Sequence, residues 1–214
     1  MGSILMVCTG NICRSPMAEG FTRRFLENRG TEGVRVESAG VSGWEGSGPT
    51  EEAVQAIGEK GIDISHHLAR RLNRRMIESA DLIVAMSREH RDATLRIAPA
   101  AAGRTFTIKE LVHLLEVDRW PTTDDPLSPG ERMMARIERA NARRGVLPGA
   151  IREADVSDPL GKGLRAFRHA AWELESLSER LVAGLLGAAD REDVVREREG
   201  DTLPEVSMRE AGPT

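Results

Sequence analysis

Val7-Cys8-Thr9-Gly10-Asn11-Ile12-Cys13-Arg14-Ser15-Pro16 is the stretch on which the reading of this chain turns. The apolar run Ile4-Leu5-Met6-Val7 leads into it and reads as a strand over residues 3–7. Beyond it, Met17, Phe21 and Phe25 recur every four positions, the spacing of one helix face. Ser15-Pro16 reads as the N-cap and first residue of that helix, which runs to about Arg29 before Gly30 stops it. A loop between a strand end and a helix start points several backbone N–H groups at one centre, and the helix dipole adds positive potential there. An anion the size of phosphate fits such a cradle. Gly10 and Asn11 suit the left-handed backbone angles of so tight a loop.

The side chains give the cradle a chemistry. Cys8 lies at its base, where the same positive field favours a thiolate, and a thiolate facing a bound phosphate is a nucleophile in position. Arg14 closes the loop six residues on. Its planar fork suits two equatorial phosphoryl oxygens, which lysine does not reproduce. Ser15 is placed to cap the helix and to donate to the thiolate. A buried cysteine and a surface-paired arginine would give the same Cys-x5-Arg spacing by accident. The flanking strand, the Gly-Asn pair and the Ser-Pro step argue against accident here.

Outward from this loop, strand and helix signals alternate. Val34-Arg35-Val36-Glu37 alternates as a strand ending at Ser38-Ala39-Gly40. A polar loop holding Trp44 follows, then a helix from Pro49-Thr50-Glu51 that Gly61 ends, and a further helix over 69–79. Residues 81–86 form a buried strand, a helix runs from Ser87 to Ile97, and 104–108 form a fourth strand. This βαβα order implies an α/β fold whose parallel sheet is flanked by helices on both faces, with its ligand beyond the carboxyl ends of the strands. After strand four, residues 109–118 and the arginine-rich 131–144 read as helices, the latter as a solvated face or a surface for an acidic partner. A core-facing stripe of Leu164, Phe167, Ala171, Leu174, Leu177, Leu181 and Leu185 marks a long terminal helix over 163–186. The expected organisation is one domain over 1–187, a helical insertion at about 109–157, and a charged, disordered tail over 188–214.

Composition narrows the partners. A net charge of -4 argues against a nucleic-acid partner. No apolar run reaches the roughly 20 residues of a membrane span, so no membrane association is expected. The two cysteines are too few for a secreted disulfide scaffold, and the five histidines form no metal-ligand pattern, so a reduced, cytoplasmic protein without metal is expected.

The run from Val7 to Glu19 resembles the signature of the low-molecular-weight protein-tyrosine-phosphatase family. The likeness continues through Ser38-Ala39-Gly40, Trp44 to Pro49, Gly61 to Ser65, His67 with Ala69-Arg70, and Ala80 to Met86. It covers most of residues 3–108 and resumes at 155–186. The resemblance implies a three-layer, four-stranded parallel sheet of the phosphotyrosine protein phosphatase I-like type. It also implies hydrolysis of phosphomonoesters, foremost protein phosphotyrosine, through a phosphocysteine without metal or cofactor. Cys8, Arg14 and an aspartate are then catalytic, and Thr9, Gly10, Asn11, Ile12, Cys13 and Ser15 bind the phosphate.

The family sets its aspartate in an Asp-Pro step before the last helix. Asp125-Pro126 and Asp158-Pro159 both qualify, and Asp158 is favoured because it leads directly into the terminal helix. The resemblance also has Ser38 and His67 hold Asn11. Trp44 either lines the cleft rim or anchors its loop, and Leu160 stands at the rim where many relatives carry an aromatic. Cys13 either forms a reversible disulfide with Cys8, as in some relatives, or is a small buried hydrophobe.

Three rivals remain. Arsenate reduction on the same fold would need an external thiol, because this chain lacks a third cysteine for an internal relay. A protein-arginine phosphatase is the second, although Ile12 stands where such relatives carry threonine. A non-catalytic phosphate-binding module is the third.

Overall fold

The structure, a computed structural model, describes residues 1–117, 126–145 and 155–187. Its centre is a parallel sheet of β1 (Gly2–Cys8), β2 (Val34–Gly40), β3 (Leu82–Ala85) and β4 (Thr105–Thr107), in the order β2-β1-β3-β4. From β1 the chain first steps to one side and then crosses to the other. The carboxyl end of β1 is therefore the switch point, where an open parallel sheet leaves a crevice. Cys8, the last residue of β1, sits at that point.

Side chains alternate across the sheet, and each face has its own core. Ile4, Met6, Cys8, Leu82 and Val84 face a large cluster. That cluster is built by α1 (Arg14–Glu27), α2 (Glu51–Gly58), α5 (Ile108–Val117), α6 (Pro129–Arg143) and α7 (Leu164–Leu186). Leu5, Val7, Ala39 and Ile83 face a smaller cluster with Leu72, Ala98, Ala101 and Ile77 of α3 (Arg74–Ser79). The helix α4 (Arg88–Ile97) and a 3-10 turn at Pro99–Arg104 complete that side, giving three layers. On α7, Phe167, Ala171, Leu174, Leu181 and Leu185 are at most 1% exposed. Burying a large apolar side chain contributes about 1.5–3 kcal/mol, which makes this stripe a main source of cohesion.

Four expectations need revision. The helix expected over 69–79 is only Arg74–Ser79, capped by Asn73. The backbone of residues 69–72 is engaged elsewhere: Ala69 N–H donates to Ser47 O, and Leu72 N–H donates to Gly40 O. Ser15 is not the N-cap of α1. The cap position is Cys13, the helix begins at Arg14, and the Ser15 hydroxyl is drawn to Cys8 and Asn11. The first helix also stops earlier than expected, at Glu27.

The arginine run is not simply a solvated face. Arg136 is buried and donates to Gly184 O, and Arg132 donates to Leu186 O, so α6 closes the carbonyl end of α7. Met133, Ile137 and Ala140 of α6 belong to the main core. The stretch expected as an insertion thus contains α5 and α6, while Asp125 and the tail from 188 lie outside the described residues.

Candidate active site

Residues 8–14 wrap the carboxyl end of β1, and their peptide orientation is set from outside. Backbone N–H groups of Val41, Ser42 and Gly43, and of Trp44 and Thr50, donate to the carbonyls of Cys8, Thr9, Gly10 and Ile12. His67 Nε2 lies 3.0 Å from Asn11 O, so that nitrogen carries the hydrogen. Five consecutive carbonyls are held by these donors, and in a planar trans peptide the N–H points opposite to the carbonyl, which directs the loop's N–H groups to the other side. Asn11 N–H lies 3.3 Å from Cys8 Sγ. Asn11 itself has φ +59°, the left-handed conformation that asparagine tolerates.

A directional chain of hydrogen bonds locks the loop. Asn11 Nδ2 donates to Ser15 Oγ at 2.9 Å and to Ser38 Oγ at 2.8 Å. Ser38 Oγ donates onward to Glu19, whose other oxygen pairs with Arg23 at 2.6 Å. Ser15 Oγ also lies 2.9 Å from Cys8 Sγ, where a thiolate, which only accepts, takes the Ser15 hydrogen. Asn11 Oδ1 accepts from Arg70 N–H at 2.8 Å. Asn11 thus carries hydrogen bonds with both Ser38 and His67. Burial lowers the His67 imidazole below its usual range, in keeping with a neutral ring that donates to a carbonyl.

Gly40 backs the loop. A Cβ there would lie 2.5 Å from Thr9 O and 2.9 Å from Asn11 N, both backbone atoms. Gly40→Ala is expected to cost about 1–3 kcal/mol of stability and to displace the loop. The measurement is a urea midpoint alongside kcat, and an active variant of undiminished stability would contradict this packing.

The Arg14 fork reaches across the cleft mouth. Nη1 donates to Val156 O at 3.1 Å, and Nη2 lies 2.6 Å from Asp158 Oδ2 and 3.4 Å from Thr9 Oγ1. The loop that carries Asp158 is pinned to the end of β3: Val156 N–H donates to Met86 O, and Asp155 accepts from Arg88 N–H at the start of α4. Arg14 is nearly buried, whereas the Asp158 side chain is about half exposed at the mouth. Cys8, Thr9, Gly10, Ile12, Cys13, Arg14, Trp44, Asp158 and Leu160 line this cleft. Trp44 and Leu160 are exposed at its rim, and the buried Ile12 contributes to its wall.

Cys13 is not disulfide-bonded, and its thiol lies 3.7 Å from Thr50 Oγ1. Burial pushes it up to about 11, only partly offset by the Thr50 contact, so it stays a thiol at neutral pH. Among the described residues, no group of three or more His, Cys, Asp or Glu side chains could hold a metal ion, and no helix is long and apolar enough to cross a membrane.

The sequence assigned no role to His90, Glu19 or Arg70, although the last two lie within the family-like runs. His90 is buried beneath the loop, 2.8 Å from both Thr9 Oγ1 and Ser87 Oγ. The available signal was Ser87-x-x-His90, a cap residue followed by a polar residue on an inward face. Burial lowers the His90 ring from its usual 6.5 to about 4, helped by Arg14 and opposed by Asp158 and Asp155. The unfolded chain therefore binds a proton that the native ring refuses, and stability falls as pH drops from 6.5 toward 4. Urea midpoints across that window are expected to decline more steeply for the wild type than for His90→Gln, and parallel slopes would contradict the assignment.

Comparison with known proteins places the chain in a family. Residues 3–143 match the family described as low molecular weight phosphotyrosine protein phosphatase, and the chain belongs to that family. It is 32% identical over 182 residues to a protein-arginine-phosphatase from Geobacillus stearothermophilus, covering 85% of this chain and 95% of the relative. It is 34% identical over 143 residues to the low molecular weight protein-tyrosine-phosphatase Etp of Escherichia coli K12, covering 66% of this chain and 93% of the relative. The crystal structure of a low molecular weight protein tyrosine phosphatase from T. tengcongensis superposes with a TM-score of 0.64 at 32% identity, over 85% of this chain and 98% of the other. The family match ends before Asp158, which the longer alignments span.

Proposed function

We propose that the protein hydrolyses phosphomonoesters of proteins, foremost phosphotyrosine, through a phosphocysteine on Cys8. One observation carries the reading: Cys8, with the Asn11 N–H 3.3 Å from its sulfur, shares one cleft with the Arg14 fork and the Asp158 carboxyl group. In the first step Cys8 Sγ attacks phosphorus in line. The S–P bond forms as the ester P–O bond breaks, and Asp158 gives its proton to the leaving oxygen. The loop N–H groups and Arg14 stabilise the charge on the equatorial oxygens. In the second step water attacks phosphorus, Asp158 takes a proton from it, and the S–P bond breaks. The Ser15 hydroxyl, 2.9 Å from Sγ, donates to the departing thiolate and eases its release.

Phosphotyrosine is favoured over phosphoarginine by the apolar walls, Ile12, Trp44 and Leu160, which suit a phenyl ring. Phosphoarginine is the second reading, supported by the likeness to the Geobacillus stearothermophilus protein-arginine-phosphatase. The cleft is also compatible with arsenate reduction by an external thiol, but that reaction needs no proton donor at the position of Asp158. The two free cysteines support a reducing, cytoplasmic setting.

The test is hydrolysis of an aryl phosphate against pH in the presence of a chelator, for wild type, Asp158→Asn and Asp125→Ala. A bell-shaped profile is expected, because the reaction uses Cys8 as a thiolate and Asp158 as a protonated acid. Asp158→Asn is expected to lose about 10²- to 10⁴-fold in kcat, with the basic limb of the profile flattened. Asp125→Ala is expected to stay near wild type; the reverse pattern would move the acid to Asp125. Phosphotyrosine and phosphoarginine peptides assayed side by side decide the substrate class.

A further inference from the structure

The mechanism above gives no role to His90, yet it is a fully buried polar side chain whose two ring nitrogens are both engaged. We propose that His90 is a positioning residue for Arg14: it fixes the Thr9 hydroxyl that accepts from the guanidinium, and so sets the orientation in which the fork meets the phosphoryl group.

Donor and acceptor chemistry fixes the first of the hydrogen-bond directions, and the tautomer of His90 sets the other two. Arginine only donates, so Thr9 Oγ1, 3.4 Å from Arg14 Nη2, accepts from it. Ser87 Oγ caps α4 by accepting the His90 backbone N–H, and in the Nε2-protonated tautomer it gives its own hydrogen to His90 Nδ1, 2.8 Å away. His90 Nε2–H then donates to Thr9 Oγ1 at 2.8 Å. A neutral ring serves this arrangement, and burial keeps the ring neutral. The cap of α4 is thereby connected, through one imidazole and one hydroxyl, to the phosphate clamp.

The need for such a connection comes from the other partners of the fork. Nη2 is also held by Asp158, 2.6 Å away. Asp158 must gain and lose a proton during turnover, and its hold on Arg14 weakens whenever it is protonated. Thr9 Oγ1 does not titrate. With Nη1 on Val156 O, it keeps the guanidinium plane constant while Asp158 changes charge. The effect is therefore expected in the transition state more than in substrate binding.

This inference rests on the phosphatase reading, and the experiment separates the two. Kinetics with nitrophenyl phosphate and inhibition by orthovanadate are measured for wild type, His90→Phe, His90→Gln, Thr9→Val and the His90→Phe/Thr9→Val double variant. His90→Phe and Thr9→Val are each expected to lose on the order of tenfold in kcat with KM little changed, and vanadate inhibition is expected to weaken in parallel. The double variant is expected to be no slower than either single one, because both cut the same bridge. His90→Gln, whose amide N–H reaches Thr9, is expected to recover most of the loss. Two results overturn the proposal: a folded His90→Phe with wild-type kcat and vanadate affinity, or losses that multiply in the double variant. Should His90→Phe fail to fold, wild-type behaviour of Thr9→Val overturns it equally. A wild type inert toward aryl phosphates sinks the phosphatase reading instead.

Discussion

Cys8→Ser is expected to abolish turnover, with a loss of about 10⁴-fold or more in kcat, while the fold and the phosphate cradle survive. The substitution replaces one atom at a buried position, so packing around β1 changes little. What it removes is the ionised nucleophile. A serine hydroxyl needs a base, and the groups bonded to Cys8 Sγ are the Ser15 hydroxyl and the Asn11 N–H, which donate to an anion and accept no proton. Cys13 offers no replacement. It stays protonated at neutral pH because burial pushes its thiol up to about 11. Accordingly, Cys13→Ala is expected to leave turnover near wild type, and a haloacetamide at neutral pH is expected to label Cys8 first. Residual activity of more than a few per cent in Cys8→Ser would show that another group carries the chemistry.

Arg14→Lys is expected to lower kcat by roughly 10³-fold despite keeping the charge. The Arg14 fork spends one nitrogen on Val156 O and turns the other toward Asp158 and Thr9. An ammonium cannot hold these directions at once, nor bind two equatorial oxygens side by side. The substitution also loosens the Asp158 loop, because Val156 O loses its charged donor. Inhibition by inorganic phosphate, which reads the ground state, is expected to weaken less than inhibition by vanadate, which mimics the transition state. Equal weakening of both would assign Arg14 to binding alone.

The loop was legible because several local signals agreed in it: a strand, a cysteine and an arginine at fixed spacing, and a helix period after it; of the Gly-Asn pair only Asn11 takes the expected left-handed backbone, and Gly10 does not. The parallel sheet was legible from the alternation of strands and helices. What could not be read locally depends on contacts across the chain. Residues 69–72 have helical neighbours in sequence, but their backbone pairs with Gly40 and Ser47, more than twenty residues away. Ser15 has the chemistry of a cap, yet Asn11 and Cys8 compete for its hydroxyl. Arg132 and Arg136 lie on a polar-looking helix, but the carbonyl end of α7 arrives against them. Ser87-x-x-His90 marks a helix start but says nothing of the ring's partner Thr9, 81 residues distant. Asp158 could be preferred to Asp125 from its place before the last helix, but its contact with Arg14 spans 144 residues and needed the fold.

The central claim, that phosphate passes through Cys8, is tested most directly by quenching the enzyme in acid during turnover of nitrophenyl phosphate and mapping the phosphorylated peptide. Nitrophenolate leaves without a proton, so Asp158→Asn still completes the first step but lacks the base for the second. The account predicts a phosphopeptide bearing phosphate on Cys8, more abundant in Asp158→Asn than in wild type and absent from Cys8→Ser. Phosphate on a residue other than Cys8 in wild type or Asp158→Asn, or active enzyme in which neither is ever phosphorylated, would contradict it.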